Sequence, residues 1–504
     1  MRSPVRFACF LALVLACSFY APIRAGEISN TDAELQFQLG NLLFDETRYW
    51  EALSAFDRAS ESADHSLALR ALKGKVRTEL RVAEFVRART DAEKLKTTAP
   101  ADPEALALYA DSLWAYGLFD EADVVYRDAL SQESGSARAR FGIARSLSTR
   151  NRLDEALTEA LAASAASPRD GEIHALIGEI YERMHRFDEA AISYSNYINL
   201  LPNKDRSDKA AWSRAQVQFL EAFHGLTPVE MDEQDAAMLH TIPFRLVKDK
   251  IVVQARVNGG SLQDFMLDTG SEETVISRQT AERERVKPIT YTLSAGVGEV
   301  GLRGLELARL KSLDFGTLQI RNLPVLIKNP ALRGIPKREG ESFSPLSIGM
   351  SMTIDYQNRL LTIGKALPPG KPDFKLPMRV HRLAMVRGTL NSNHPLYFVV
   401  DTGGEVISIS SEAASSLAIA PTGRKIQLRV WGTSGWDRDA FLMPGMDLDF
   451  DRIEYRNIPL VVLNLRAPSI LLGFQVGGIV GHKFLGSYKV AMDLANSELR
   501  LEKF

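Results

Sequence analysis

The chain has 504 residues, 45% of them apolar and 25% charged, with a formal net charge of −2. That length is too great for one ordinary core and calls for several compact units. The average composition excludes wholesale disorder, and the balanced charge offers no basic surface for nucleic acid or anionic membrane.

Arg2 and Arg6 precede an apolar run from Phe7 to Tyr20, and Pro22-Ile23-Arg24-Ala25 can end at a small residue. This is the layout of a secretory signal peptide over residues 1–25, with an apolar run short of a membrane span. The expected destination is the bacterial periplasm. A retained anchor, or a lipid on Cys17 within Val14-Leu15-Ala16-Cys17, stays open as an alternative. Both cysteines, Cys9 and Cys17, lie in this segment. Cleavage after Ala25 would leave a chain without disulfides, thiol nucleophile or thiolate metal site. No later stretch is apolar for long enough to predict a membrane span.

From about residue 30 to 224 the pattern is helical and periodic. Leu39-Gly40 is followed by Leu43, Ala52, Phe56 and Ala59; Ile177-Gly178 is followed by Tyr181, Ala190, Tyr194, Tyr197 and Pro202. The small anchors Ala52, Ala122, Ala156 and Ala190 are 70, 34 and 34 residues apart, which leaves room for one degenerate repeat between Leu72 and Pro100. These segments resemble the tetratricopeptide repeat, whose paired helices approach through small residues. Five repeats and a closing helix from Ala211 to Phe223 are expected, presenting a concave surface for a protein partner.

After a linker at 225–239, short β-branched and aromatic runs separated by Gly, Asn and Pro read as strands. This region repeats itself. Val257-Asn258 through Asp268-Thr269-Gly270 aligns without gaps on Leu390-Asn391 through Asp401-Thr402-Gly403. Leu313-Asp314-Phe315 through Pro324 likewise matches Leu448-Asp449-Phe450 through Pro459, and Ile354-Asp355 through Leu361 matches Met492-Asp493 through Leu499. A duplicated β lobe follows, at 240–366 and 377–504, with 367–376 as the connection.

Two apolar residues before Asp-Thr-Gly, twice in one chain, resemble the active-site loops of retropepsin-like, pepsin-fold aspartic proteases. The fold class expected is therefore multidomain: an all-α repeat array, then a bilobal all-β pseudo-dimer. The resemblance implies an endopeptidase acting on peptide or protein, needing no cofactor, with Asp268 and Asp401 as its catalytic pair. The chemistry agrees. Two carboxylates held side by side share one proton, so one can act as base and the other as acid.

The resemblance also implies roles for neighbours. Thr269 and Thr402 would hydrogen bond across the pseudo-twofold axis, while Gly270 and Gly403 let the loops approach. Ser271 would donate to Asp268, whereas its counterpart Gly404 has no donor, so Asp268 is expected to carry the charge and Asp401 the proton. Gly296, Gly298, Gly432 and Trp436, with Trp431, sit where the family has flaps over the substrate cleft. A later apolar-apolar-Gly threads behind each loop in the family: Ile479-Val480-Gly481 fits well and Ser347-Ile348-Gly349 loosely. Gly481 and Asp493 are twelve positions apart but Gly349 and Asp355 only six, so lobe one is expected to lack a helical turn. That shortening would favour a non-catalytic scaffold keeping the fold. Scattered histidines and the absence of His-Glu-x-x-His give no metal set.

Overall fold

Small residues opposite large ones set the helical half. In the computed structural model, which describes residues 30–205, 207–298, 302–328, 340–417 and 426–504, the chain divides into units at 1–78 and 79–504. The signal segment, with Cys9 and Cys17, lies outside the described residues. In the first unit α1 (Asn30–Asp45) pairs with α2 (Tyr49–Ala59), followed by α3 (His65–Arg81), which runs to the boundary. A Cβ on Gly40 or Gly74 would stand 2.7 or 2.5 Å from the Phe56 ring, so only glycine lets these helices close on it.

The second unit continues with α4 (Phe85–Thr98), α5 (Pro103–Ala115), α6 (Phe119–Gln132), α7 (Ala137–Thr149), α8 (Leu153–Ala166), α9 (Gly171–Arg183), α10 (Phe187–Leu200) and α11 (Asp208–Glu221). Helices α5/α6, α7/α8 and α9/α10 pack as antiparallel hairpins, and α11 covers α10. Asp102 and Asp170 start α5 and α9 by accepting the backbone N–H of Glu104 and Glu172. A left-handed residue turns each hairpin: Gly117, Asn151 and His185. Among the described residues the second unit thus holds three helix hairpins between α4 and the closing helix α11, a tetratricopeptide-type fold.

Each β lobe closes on itself. Lobe one contains β1 (Lys250–Val257), β2 (Leu262–Leu267), β3 (Thr274–Ser277), β4 (Leu302–Phe315), β5 (Leu318–Lys328) and β6 (Glu341–Phe343). Their pairing order β1-β2-β6-β3-β5-β4 returns to β1, a six-stranded barrel. Lobe two repeats the order with β7 (Leu383–Leu390), β8 (His394–Val400), β9 (Ile407–Ser410), β10 (Phe441–Phe450), β11 (Ile453–Leu463) and β12 (Gly478–Val480). Closure leaves no free edge, and phenylalanines such as Phe265, Phe315 and Phe343 or Phe398, Phe450 and Phe484 fill the interiors.

The lobes join through a sheet under both barrels, in which Met352, Thr353 and Ile354 pair with Met492, Ala491 and Val490. Equivalent strands thus meet about a pseudo-twofold axis. The flanking turns match: Asp355 accepts Asn358 N and Nδ2 at 2.9 and 3.0 Å, Asp493 accepts Asn496 N and Nδ2 at 3.1 and 2.8 Å.

The edge of the array that carries the helix-pair turns packs on both lobes. Phe119 lies 4.7 and 5.0 Å from the Tyr397 and Phe474 rings, and Gln475 N donates to Ala115 O at 2.8 Å. On lobe one, Phe187, Phe219 and Phe223 cluster with Val275, Leu305, Leu307 and Leu326. Arg379 of lobe two is buried, donating to Asp120 at 2.6 Å, Asp123 at 2.8 Å, and Ser146 and Thr149 at 3.2 Å each. Among the described residues no helix is long and apolar enough to cross a membrane.

Removing one partner of a buried ion pair strands the other. Arg379→Ala is expected to cost about 3–5 kcal/mol, read as a lowered midpoint in chemical denaturation. Burial raises the Asp120 carboxyl, but Arg379 outweighs this and holds it at about 2. A depressed carboxylate stabilises above its unfolded value, so this contact should hold above about pH 4 and weaken as pH falls toward 2.

Candidate active site

Strands β2 and β8 deliver the two Asp-Thr-Gly turns to the floor of the groove between the lobes. Their buried residues, Phe265 and Leu267 or Phe398 and Val400, anchor the barrels, and each aspartate begins where the strand leaves its core. The strand behind holds each turn: Asp268 N donates to Phe343 O at 2.9 Å, and Asp401 N to Val480 O at 3.0 Å.

The threonines tie the turns to each other. Thr269 Oγ1 donates to Val400 O at 2.6 Å and accepts Thr402 N at 3.0 Å. Thr402 Oγ1 donates to Leu267 O at 2.8 Å and accepts Thr269 N at 3.1 Å. Both are fully buried, so each polar atom must find its partner across the axis. The glycines are required by the approach: a Cβ on Gly270 would stand 2.5 Å from Asp401 Cγ, and one on Gly403 2.6 Å from Asp268 Oδ1.

So positioned, the Asp268 and Asp401 carboxyls face one another: a Cβ on Gly403 would touch both, at 2.6 Å from Asp268 Oδ1 and 3.1 Å from Asp401 Oδ1. Burial raises both, and the neighbouring Asp401 charge pushes Asp268 further, to about 7. The rise at Asp401 is opposed by the N–H groups of Gly403 and Gly404, by the Lys250 charge and by the facing Asp268 carboxyl. Between them the pair therefore keeps a proton above the usual carboxylate range.

The donor expected for Asp268 is not formed. Ser271 Oγ does not serve Asp268; it turns to Glu273 O at 2.8 Å. Gly404 lacks a hydroxyl, its N–H donates to the main-chain O of Asp401 at 3.1 Å, and a Cβ there would already be 3.0 Å from Asp401 Oδ2. Lys250, unremarked in the sequence, crosses from lobe one to donate to Gly403 O, with Glu405 3.7 Å away. Its position in the gap-free repeat corresponds to Leu383 in lobe two, an asymmetry readable in the sequence. Lys328 adds a second cation facing Asp268 while donating to Gly340 O at 3.2 Å.

The threading segment of lobe one is also corrected. Strand register pairs Leu267 with Phe343 as it pairs Val400 with Val480, so Ser342-Phe343-Ser344 is the counterpart of Ile479-Val480-Gly481. The Glu341 carboxylate fixes that register by accepting Ser277 Oγ at 2.8 Å and the Thr280 hydroxyl. Pro345–Ile348 then forms a helical turn where lobe two has His482–Leu485, and Gly349 ends it at φ 73°. Lobe one does not lack the turn.

Above the carboxyls, two hairpin tips meet. Strands Pro288–Ala295 and Leu302–Phe315 carry one, strands Val430–Gly432 and Gly435–Asp437 the other. Ser434 N donates to Val297 O at 3.0 Å. A Cβ on Gly296, Gly298 or Gly432 would come within 1.8, 2.4 or 2.1 Å of the opposite tip, so glycine permits the contact. Trp431 and Trp436 stack edge to face at 5.0 Å within the second hairpin. The cavity beneath has a volume of about 1680 Å³, and its lining includes both aspartates, Trp436 and the helical-array residues Glu182, Trp212 and Gln216.

Residues 253–352 and 386–482 match the aspartyl protease family, and residues 113–180 match the tetratricopeptide repeat. No curated protein matches the sequence. Among solved structures, the aspartic proteinase of Irpex lacteus is 14% identical, with TM-score 0.31, covering 53% of this chain and 97% of its own. The tetratricopeptide protein TTC0263 of Thermus thermophilus is 21% identical, with TM-score 0.32, covering 37% and 98%. YrrB, described as a TPR protein with an unusual peptide-binding site, is 21% identical, with TM-score 0.22, covering 34% and 88%. By its family matches, the chain joins tetratricopeptide repeats to a two-copy, retropepsin-like aspartyl protease domain.

Thr402→Val would leave Leu267 O and Thr269 N buried without partners. The expected cost is about 2–6 kcal/mol in denaturant unfolding, since each orphaned group costs about 1–3 kcal/mol.

Proposed function

We propose that this chain is an exported aspartic endopeptidase in which Asp401 and Asp268 act on one water. The observation that carries this reading is the placement of two half-buried carboxyls face to face on the floor of the interlobe cavity. Burial and mutual repulsion allow the pair one negative charge, so base and acid stand ready together. Asp401 takes a proton from the water as its oxygen bonds the peptide carbonyl carbon, and Asp268 gives its proton to the carbonyl oxygen. In collapse of the tetrahedral diol the C–N bond breaks, Asp401 passes its proton to the leaving nitrogen, and Asp268 recovers one from a diol hydroxyl. The pair returns to its starting charge.

Export rests on the first 25 residues, which carry the features of a signal peptide and point to the periplasm, with lipidation at Cys17 as the alternative. The repeats recruit the substrate or a protein partner, the usual use of such arrays. A non-catalytic scaffold was suggested by a shortened lobe one; with the Pro345–Ile348 turn in place, that motive falls away.

Asp268→Asn and Asp401→Asn should each lower kcat on denatured casein by about a thousandfold or more, the scale of losing half of an interdependent pair. Equal activity in either variant would contradict the reading. For the intact pair, the rate should fall as pH rises through about 7, where Asp268 gives up the proton the carbonyl oxygen needs. Removing the Lys250 charge makes Asp401 harder to ionise, so Lys250→Met should move the acidic limb of the pH–rate profile upward, and Lys250→Arg should restore it.

A further inference from the structure

The cavity over the aspartates is not bounded by the two lobes alone. Its volume of about 1680 Å³ exceeds the roughly 300–1,000 Å³ usual for a small-molecule site and suits a stretch of polypeptide. Overhead it is roofed by the joined hairpin tips. At one side its wall comes from helices α9 and α11 of the array, which supply Glu182, Trp212 and Gln216.

These side chains are arranged for contact. Trp212 is 48% exposed, an indole face left open. One turn further along α11, Gln216 donates Nε2 to the Glu182 carboxyl at 2.7 Å, and the Tyr194 hydroxyl donates to the same carboxyl at 3.1 Å. An immobilised acceptor and amide beside an open aromatic face suit a peptide: the ring stacks on a side chain, and the polar pair meets backbone N–H and C=O groups. The array cannot swing away freely, because α10 and α11 share an apolar cluster with lobe one and Arg379 ties α6 and α7 to lobe two.

We propose that the helical array is itself a wall of the substrate channel, and that an extended peptide cleaved at the aspartates lays its distal residues against Trp212, Gln216 and Glu182. The inference rests on the protease reading and narrows it: the substrate is an unfolded segment that threads the channel, and the array selects it by direct contact.

The test uses the full chain and two fluorescently labelled probes followed by anisotropy. One is a pool of casein peptides of about fourteen residues, offered to the Asp401→Asn form. The other is a statine-type peptide of about six residues, roughly 20 Å extended, which fills only the subsites beside the aspartates, offered to the parent form. Trp212→Ala should weaken binding of the long peptides about tenfold, the usual loss at an aromatic anchor, and leave the statine peptide within about twofold. Trp212→Phe should keep most of the long-peptide affinity. Unchanged long-peptide binding in Trp212→Ala, no long-peptide binding at all, or equal losses for both probes would each overturn the proposal. If the statine peptide fails to bind while long-peptide binding still depends on Trp212, the channel wall stands and the assignment of the aspartates falls.

Discussion

Two carboxyl groups repel when both are charged, so they stay face to face only where they share a proton and the backbone cannot let them part. Here that constraint is met by four reciprocal hydrogen bonds from Thr269 and Thr402, each satisfying a buried atom of the other lobe. The barrels support the two turns, and Gly270 and Gly403 keep side chains out of the space between them. Equivalent strands meeting at Thr353 and Ala491 keep the lobes from sliding, which would break the threonine ties first.

Symmetry ends at the acids themselves. Lys250 has an apolar counterpart in Leu383, and Ser271 is turned away to Glu273. A symmetric pair would share its charge evenly between the two carboxyls. In the proposed mechanism these differences put the anion on Asp401 and the proton on Asp268 and give the two lobes distinct chemical tasks.

Much of this was legible in the sequence because duplication writes itself as an ungapped repeat. The helix pairs were legible from small residues in phase, for which Gly142 against Tyr126 and Gly178 against Tyr194 are the physical cause. Other features were not. The threading segment of lobe one was sought at a glycine, but strand pairing and the Glu341 carboxylate fix it at Ser342–Ser344. The role given to Ser271 failed because its hydroxyl has a nearer acceptor within its own loop. Docking of the array was hidden for a different reason. Arg379, Asp120 and Asp123 look like ordinary surface charges until the fold brings together residues more than 250 positions apart.

The most direct measurement is the titration of the two carboxyls by carbon NMR in protein labelled at aspartate, with Asp268→Asn and Asp401→Asn for assignment. The account predicts two linked steps, with one proton retained to near pH 7 and its signal on Asp268. Two independent titrations in the ordinary aspartate range near 4 would contradict it, because carboxyls that ionise without regard to each other are not in contact.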